Sequence, residues 1–114
     1  MTMELTEFLH QVTTEPLSVE FEQTIATIDA NYTFTPSVFT NGEIENEAGQ
    51  NNGSCKIFAF AQMHNLTQAQ TLACFGKFYR EDVLQYPEND DHQNIRNFIE
   101  HGWDGIKFSS PALN

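Results

Sequence analysis

Basic residues are scarce in this chain. Five Lys and Arg stand against 16 Asp and Glu in 114 residues, a formal net charge of −11. Tracking a phosphate backbone needs a basic face, so nucleic acid is not an expected partner. An anionic membrane surface is excluded on the same ground. Cysteine is also sparse: Cys55 and Cys74 are the only two, and neither sits in a CxxC pair. A disulfide framework or zinc ribbon is therefore not expected, and the two thiols read as reduced and buried in a cytoplasmic protein. No apolar run approaches the ~20 residues of a membrane span. Met1-Thr2-Met3-Glu4 offers no basic n-region and no long apolar stretch, so a Sec signal peptide is not expected.

What the chain has is aromatic residues and an uneven charge. Ten Phe, three Tyr and one Trp, with 39% hydrophobic residues, supply a core that a disordered acidic tail lacks. Nine acids and no Lys or Arg precede Lys56; seven acids and all five basic residues follow from Lys56 onward. An acidic face of this kind favours basic partners by steering, and solvated helix faces produce the same count.

Hydrophobic spacing predicts the elements. Leu5, Phe8, Leu9 and Val12 form one helical stripe, with Thr2 as N-cap, and Pro16 ends it. Ser18 is the expected cap of a second helix carrying Phe21, Ile25 and Ile28 on one face. Tyr32 and Phe34 alternate with Thr, as in a short extended segment. Asn41-Gly42 predicts a hairpin between 38–40 and 43–45. A polar Asn/Gly loop follows, and Ser54 is the expected cap of the next element. Ile57 to Ala61 is apolar nearly all round; the capping Ser and the two Ala favour a buried helix over a buried strand. Thr67 and Gln70 make a capping box before Leu72, Phe75 and Tyr79. Asp90 and Gln93 repeat that pattern before Ile95, Phe98 and Ile99, with Gly102 placed as the terminating glycine. Ile106-Lys107-Phe108 alternates and reads as a strand added to the hairpin.

Several blocks of this chain resemble the HopJ type III effector protein family. They include Ile28-Asp29-Ala30-Asn31-Tyr32, Phe39-Thr40-Asn41-Gly42, the segment 46–56, Cys74-Phe75-Gly76, 79–84, 91–97 and Gly102-Trp103-Asp104-Gly105. The resemblance runs from about Leu5 to Phe108. It implies a bacterial protein of a family with no established catalytic activity, and delivery into a host cell by a type III system as the family name describes.

The residues themselves offer three constellations. The loop 46–56 gathers Glu47, Asn51, Asn52, Ser54 and Lys56 ahead of a helix start, where backbone N–H groups attract anions. Arg80, Asn94 and Arg96 complete this set of candidate ligand-binding residues. The two arginines are equally suited to structural ion pairs with Glu47, Asp82 or Asp91. Cys55 in the first turn of that helix, with His92 as base, is the candidate pair for a cysteine hydrolase or acyl transferase. Asp90, Asp91 and His92 are weak metal-ligand candidates, at the spacing of neither an EF-hand nor HExxH.

These observations predict a mainly α, α+β domain spanning 1–114, with about five helices and a small β-hairpin or three-stranded element. No complete catalytic motif is present, so a non-catalytic binding module is expected ahead of a small enzyme built from the 46–56 loop, His92 and Arg80. Its expected partner is a protein or a small anionic ligand. No cofactor is expected.

Overall fold

Amphipathic spacing near the start of the chain produces two helices that share a buried face. The computed structural model describes residues 5–114, so the expected Thr2 cap lies outside the described residues. Helix α1 (Leu5–Thr14) buries Phe8 and Val12. A 3₁₀ turn (Pro16–Ser18) follows, as the fixed φ of Pro16 allows. Helix α2 (Phe21–Asn31) buries Thr24, Thr27 and Ile28. Its cap is Glu20, in a capping box with Gln23, and Ser18 lies inside the 3₁₀ turn. The Ser18 hydroxyl instead bonds the Glu15 carbonyl at 2.7 Å. A residue held in a turn of its own cannot adopt the extended backbone of a helix cap.

The hairpin pairs β1 (Phe39–Asn41) with β2 (Ile44–Asn46), and Asn41 lies opposite Ile44. The central turn residues are therefore Gly42 and Glu43, one position later than Asn41-Gly42 predicts. Only Gly42 of the two has positive φ, at 62°, the arrangement of a II′ turn. The shift of one residue turns Asn41 from a turn position into a paired, fully buried one. Strand β3 (Ile106–Phe108) joins the other edge of β1, so the antiparallel sheet has the order β2-β1-β3. Phe34 forms an isolated bridge to Leu113.

Ile57 to Ala61 lies within helix α3 (Asn52–Met63), with Cys55, Ile57, Phe58, Ala59, Phe60 and Ala61 buried. A helix apolar on all sides must be central. Phe58 accordingly has Phe39, Phe75, Phe98 and Trp103 around it at centroid distances of 5.0–6.4 Å. The helix begins after Asn51, three residues earlier than a Ser54 cap would place it. Helix α4 (Gln68–Ala73) carries the expected Thr67–Gln70 capping box. The chain then runs through a π-helical segment (Phe78–Val83), where Leu84 N–H reaches back to the Tyr79 carbonyl. Helix α5 (Gln93–His101) buries Asn94, Ile95 and Phe98. Gly102 ends it as the C-cap with φ 62° and ψ −154°, a backbone region that essentially only glycine occupies, rather than in the αL conformation of the expected C′ glycine. The result is an α+β fold in which helices enclose an aromatic core and a small antiparallel sheet closes one side.

Candidate functional site

Helices α3 and α5 both begin on a residue in the left-handed backbone conformation. Asn51 has φ 54° and His92 has φ 50°, and neither side chain makes a capping hydrogen bond. The expected Asp90–Gln93 capping box is absent; Gln93 Nε2 donates to the Asp90 backbone carbonyl instead. The first N–H groups of a helix have no partner within it and carry its positive dipole end. Both helix starts open onto one pocket of about 190 Å³. Asn51, Gly53 and Ser54 line it from α3, and His92, Asn94 and Ile95 from α5. Phe21, Phe75 and Phe78 form its aromatic wall.

Buried amides hold the two helix starts in register. Asn46 Nδ2 donates to Asn94 Oδ1 at 3.1 Å, and Asn94 Nδ2 donates to Asn46 Oδ1 at 3.0 Å. Asn41 Nδ2 donates to the Asn94 carbonyl at 2.7 Å and to its Oδ1 at 3.1 Å. Asn51 Nδ2 donates to Asn46 Oδ1 at 2.7 Å, linking the loop to the network. Asn41, Asn46 and Asn94 are all buried. Burying amides without partners costs a few kcal/mol each; every side-chain amide group of these three residues is paired except Asn41 Oδ1, and the paired groups favour one arrangement of the pocket floor.

His92 stands at the rim. Its Nε2 lies 3.0 Å from Asp82 Oδ2 and 3.9 Å from Asp91 Oδ2. Its ring packs on Phe78 with centroids 5.1 Å apart. Asp91 is held by Arg96, whose Nη2 donates to Oδ1 at 2.6 Å. That hydrogen bond holds the Asp91 carboxyl below the usual carboxylate range, and the charges of His92 and Arg96 act in the same direction. Arg96 also donates to the carbonyls of Asp91, Pro87 and Asp82, at 2.6, 3.1 and 3.2 Å.

The fold brings together Asn51, Ser54, His92 and Asn94 of the sequence candidates at the pocket, and engages Arg96 with Asp91 and the loop carbonyls. It places the others elsewhere. Cys55 is 1% exposed, its Sγ directed at the Ser37 carbonyl 3.9 Å away. Burial pushes the Cys55 thiol up, which opposes the thiolate that a nucleophile requires. Lys56 pairs with Asp29 at 2.9 Å and lies over the Phe34 ring. Arg80 donates to the Val19 carbonyl at 2.9 Å and lies 3.5 Å from Glu20. That partner is none of the three expected for it, whereas the expected Arg96–Asp91 pair is present. Glu47 and Asn52 are exposed. Asp90 does not join the carboxylates at His92; Asp82 takes that place. Asp82 and the wall residues Phe21, Phe75 and Phe78 carry no distinguishing spacing in the sequence. The nearest signal is the repetition of Asn at 41, 46, 51 and 94.

Residues 5–113 match the model of the HopJ type III effector protein family. The crystal structure of a protein of unknown function, VPA0580, is similar with a TM-score of 0.98 and 58% identity. The match covers 100% of this chain and 95% of that one. Among curated proteins none matches.

Proposed function

This chain belongs to the HopJ type III effector protein family, and we propose that it is a non-catalytic binding module for a small anionic ligand. The observation that supports this reading is the convergence of two helix starts, neither capped by its own side chain, on one aromatic-walled pocket. Such N–H groups suit a carboxylate or phosphate oxygen, and the Phe21, Phe75 and Phe78 wall suits an apolar or aromatic body attached to it. Asn51, Ser54 and His92 supply the polar contacts that orient it. Binding is favoured over turnover because the one candidate nucleophile, Cys55, is buried.

Titration with benzoate, acetate and inorganic phosphate, followed by ¹H–¹⁵N NMR, tests the reading. The expected result is saturable shifts of the Gly53, Ser54 and Asn94 amides, strongest for benzoate. A Ser54→Glu variant sets a carboxylate at the pocket and is expected to abolish them. Absence of saturable shifts at these amides with all three anions overturns the reading.

Delivery by a type III system is the finer proposal that the family name supports. A translocation-reporter fusion expressed in a strain with and without a working type III apparatus tests it. Apparatus-dependent entry into host cells supports it, and equal signals reject it.

A further inference from the structure

We infer that Asp82, Asp91 and His92 form a binding site for a divalent first-row transition-metal ion of the Zn²⁺ or Mn²⁺ type. One ligand atom from each of the three lies within 4.8 Å of the other two. They come from three places in the fold: the π-helical segment, the loop after it, and the N-cap of α5. Metal–ligand bonds of about 2.1 Å set neighbouring ligand atoms roughly 3.0 Å apart in octahedral and roughly 3.4 Å apart in tetrahedral geometry. His92 Nε2 lies 3.0 Å from Asp82 Oδ2 and 3.9 Å from Asp91 Oδ2, so small side-chain rotations complete such a set.

The surroundings of the three groups are those of a supported site. Arg96 grips Asp91 through Oδ1, and Oδ2 is the oxygen that faces His92. Phe78 backs the imidazole. Carboxylate oxygen with imidazole nitrogen suits Zn²⁺ or Mn²⁺ better than the all-oxygen cages preferred by Ca²⁺ and Mg²⁺. Three protein ligands leave coordination positions for solvent or a further ligand. His92 also lines the pocket, so a bound ion stands at its rim, next to the place assigned to an anion. The metal site does not depend on that assignment, because its three protein ligands are side chains of this chain and solvent can fill the remaining positions.

The experiment is calorimetric titration of the full chain, stripped by chelator and desalted, with Zn²⁺ and then Mn²⁺ in a non-coordinating buffer without added anions. One site per chain is expected, and both His92→Ala and Asp82→Asn should weaken it by about tenfold or more. Glu88→Gln combined with Asp90→Asn removes two nearby carboxylates and should leave it unchanged. Mn²⁺ added to ¹⁵N-labelled wild-type protein should broaden resonances of residues 78–83 and 91–96 first, a readout that does not require any variant to fold. No saturable binding of either ion overturns the inference, as does equal binding by His92→Ala. Broadening centred elsewhere overturns it too. Metal binding without anion shifts leaves this site standing and rejects the pocket reading; the reverse pattern does the opposite.

Discussion

Asn46 and Asn94 hold each other by both ends of their side-chain amides, each Nδ2 donating to the other's Oδ1. The pair ties strand β2 to helix α5 across 48 positions of sequence. Asn94→Ala leaves the buried Asn46 Nδ2 without its acceptor and takes from Asn41 Nδ2 one of its two, the residue-94 backbone carbonyl remaining. A loss of about 2–4 kcal/mol is expected in urea unfolding. An exposed asparagine such as Asn52, changed in the same way, should cost well under 1 kcal/mol.

Gly76 combines φ 61° with a close approach to the start of α2. A Cβ there would lie 2.6 Å from the Phe21 backbone nitrogen and 3.2 Å from Glu20 Cα. Backbone cannot yield as a flexible side chain does. Gly76→Ala should therefore cost about 3 kcal/mol or more, read from the denaturant midpoint. A midpoint within experimental error of wild type contradicts the packing described.

The half-buried pair of Tyr32 and His64 predicts a pH dependence. Tyr32 Oη lies 2.6 Å from His64 Nε2, and burial lowers the imidazole from 6.5. The unfolded chain therefore takes up this proton first as pH falls. The stability contribution is complete above about pH 6.5, declines below it, and levels off once the folded-state imidazole titrates. His64→Gln should remove that portion of the decline. Melting temperatures of both proteins between pH 8 and pH 5 check this; parallel curves reject it.

Both thiols should be slow to react in the native protein. Cys55 and Cys74 are 1% and 0% exposed, and burial pushes the Cys74 thiol up to about 12. With a disulfide reagent at pH 8, both should be protected until denaturant is added. Rapid reaction of Cys55 in the folded state, located by a Cys74→Ser variant, would restore it as a candidate nucleophile.

Arg96 fastens the segment after the π-helical turn through four donated hydrogen bonds. Arg96→Ala should raise amide hydrogen exchange across residues 84–91 by about tenfold or more while α3 stays protected. Arg96→Lys should not restore protection. One ammonium cannot reach the carbonyls of Pro87, Asp82 and Asp91 in the fork geometry of a guanidinium.

The sequence by itself determined the helices whose signals are local. The apolar stripe of α1, the Thr67–Gln70 capping box and the terminating Gly102 each depend on neighbours within a few positions, and each stands at its expected position. The addition of Ile106–Phe108 to the hairpin was also legible, because strand alternation persists over that stretch. The caps of α2, α3 and α5 were not: Glu20 takes the first in a local box with Gln23, ahead of the expected Ser18, while Asn51 and His92 take the others in the left-handed conformation, with side chains engaged by Asn46 and Asp82. The hairpin register belongs with them: Asn41 forgoes the turn because Asn94, 53 positions away, accepts its amide.

The candidate site divides along the same line. The polar character of the 46–56 and 91–96 segments is visible in composition, so half of the pocket could be named in advance. Its aromatic wall and the Asp82 carboxylate could not, because Phe21, Phe75 and Asp82 come from separate elements that meet only on folding. The scarcity of basic residues made each of them informative, yet contacts formed on folding decided the roles of three of the five. Asp29 engages Lys56, Val19 engages Arg80, and the loop carbonyls engage Arg96. Charge is a property of the chain; which charges remain free to meet a ligand is a property of the packing.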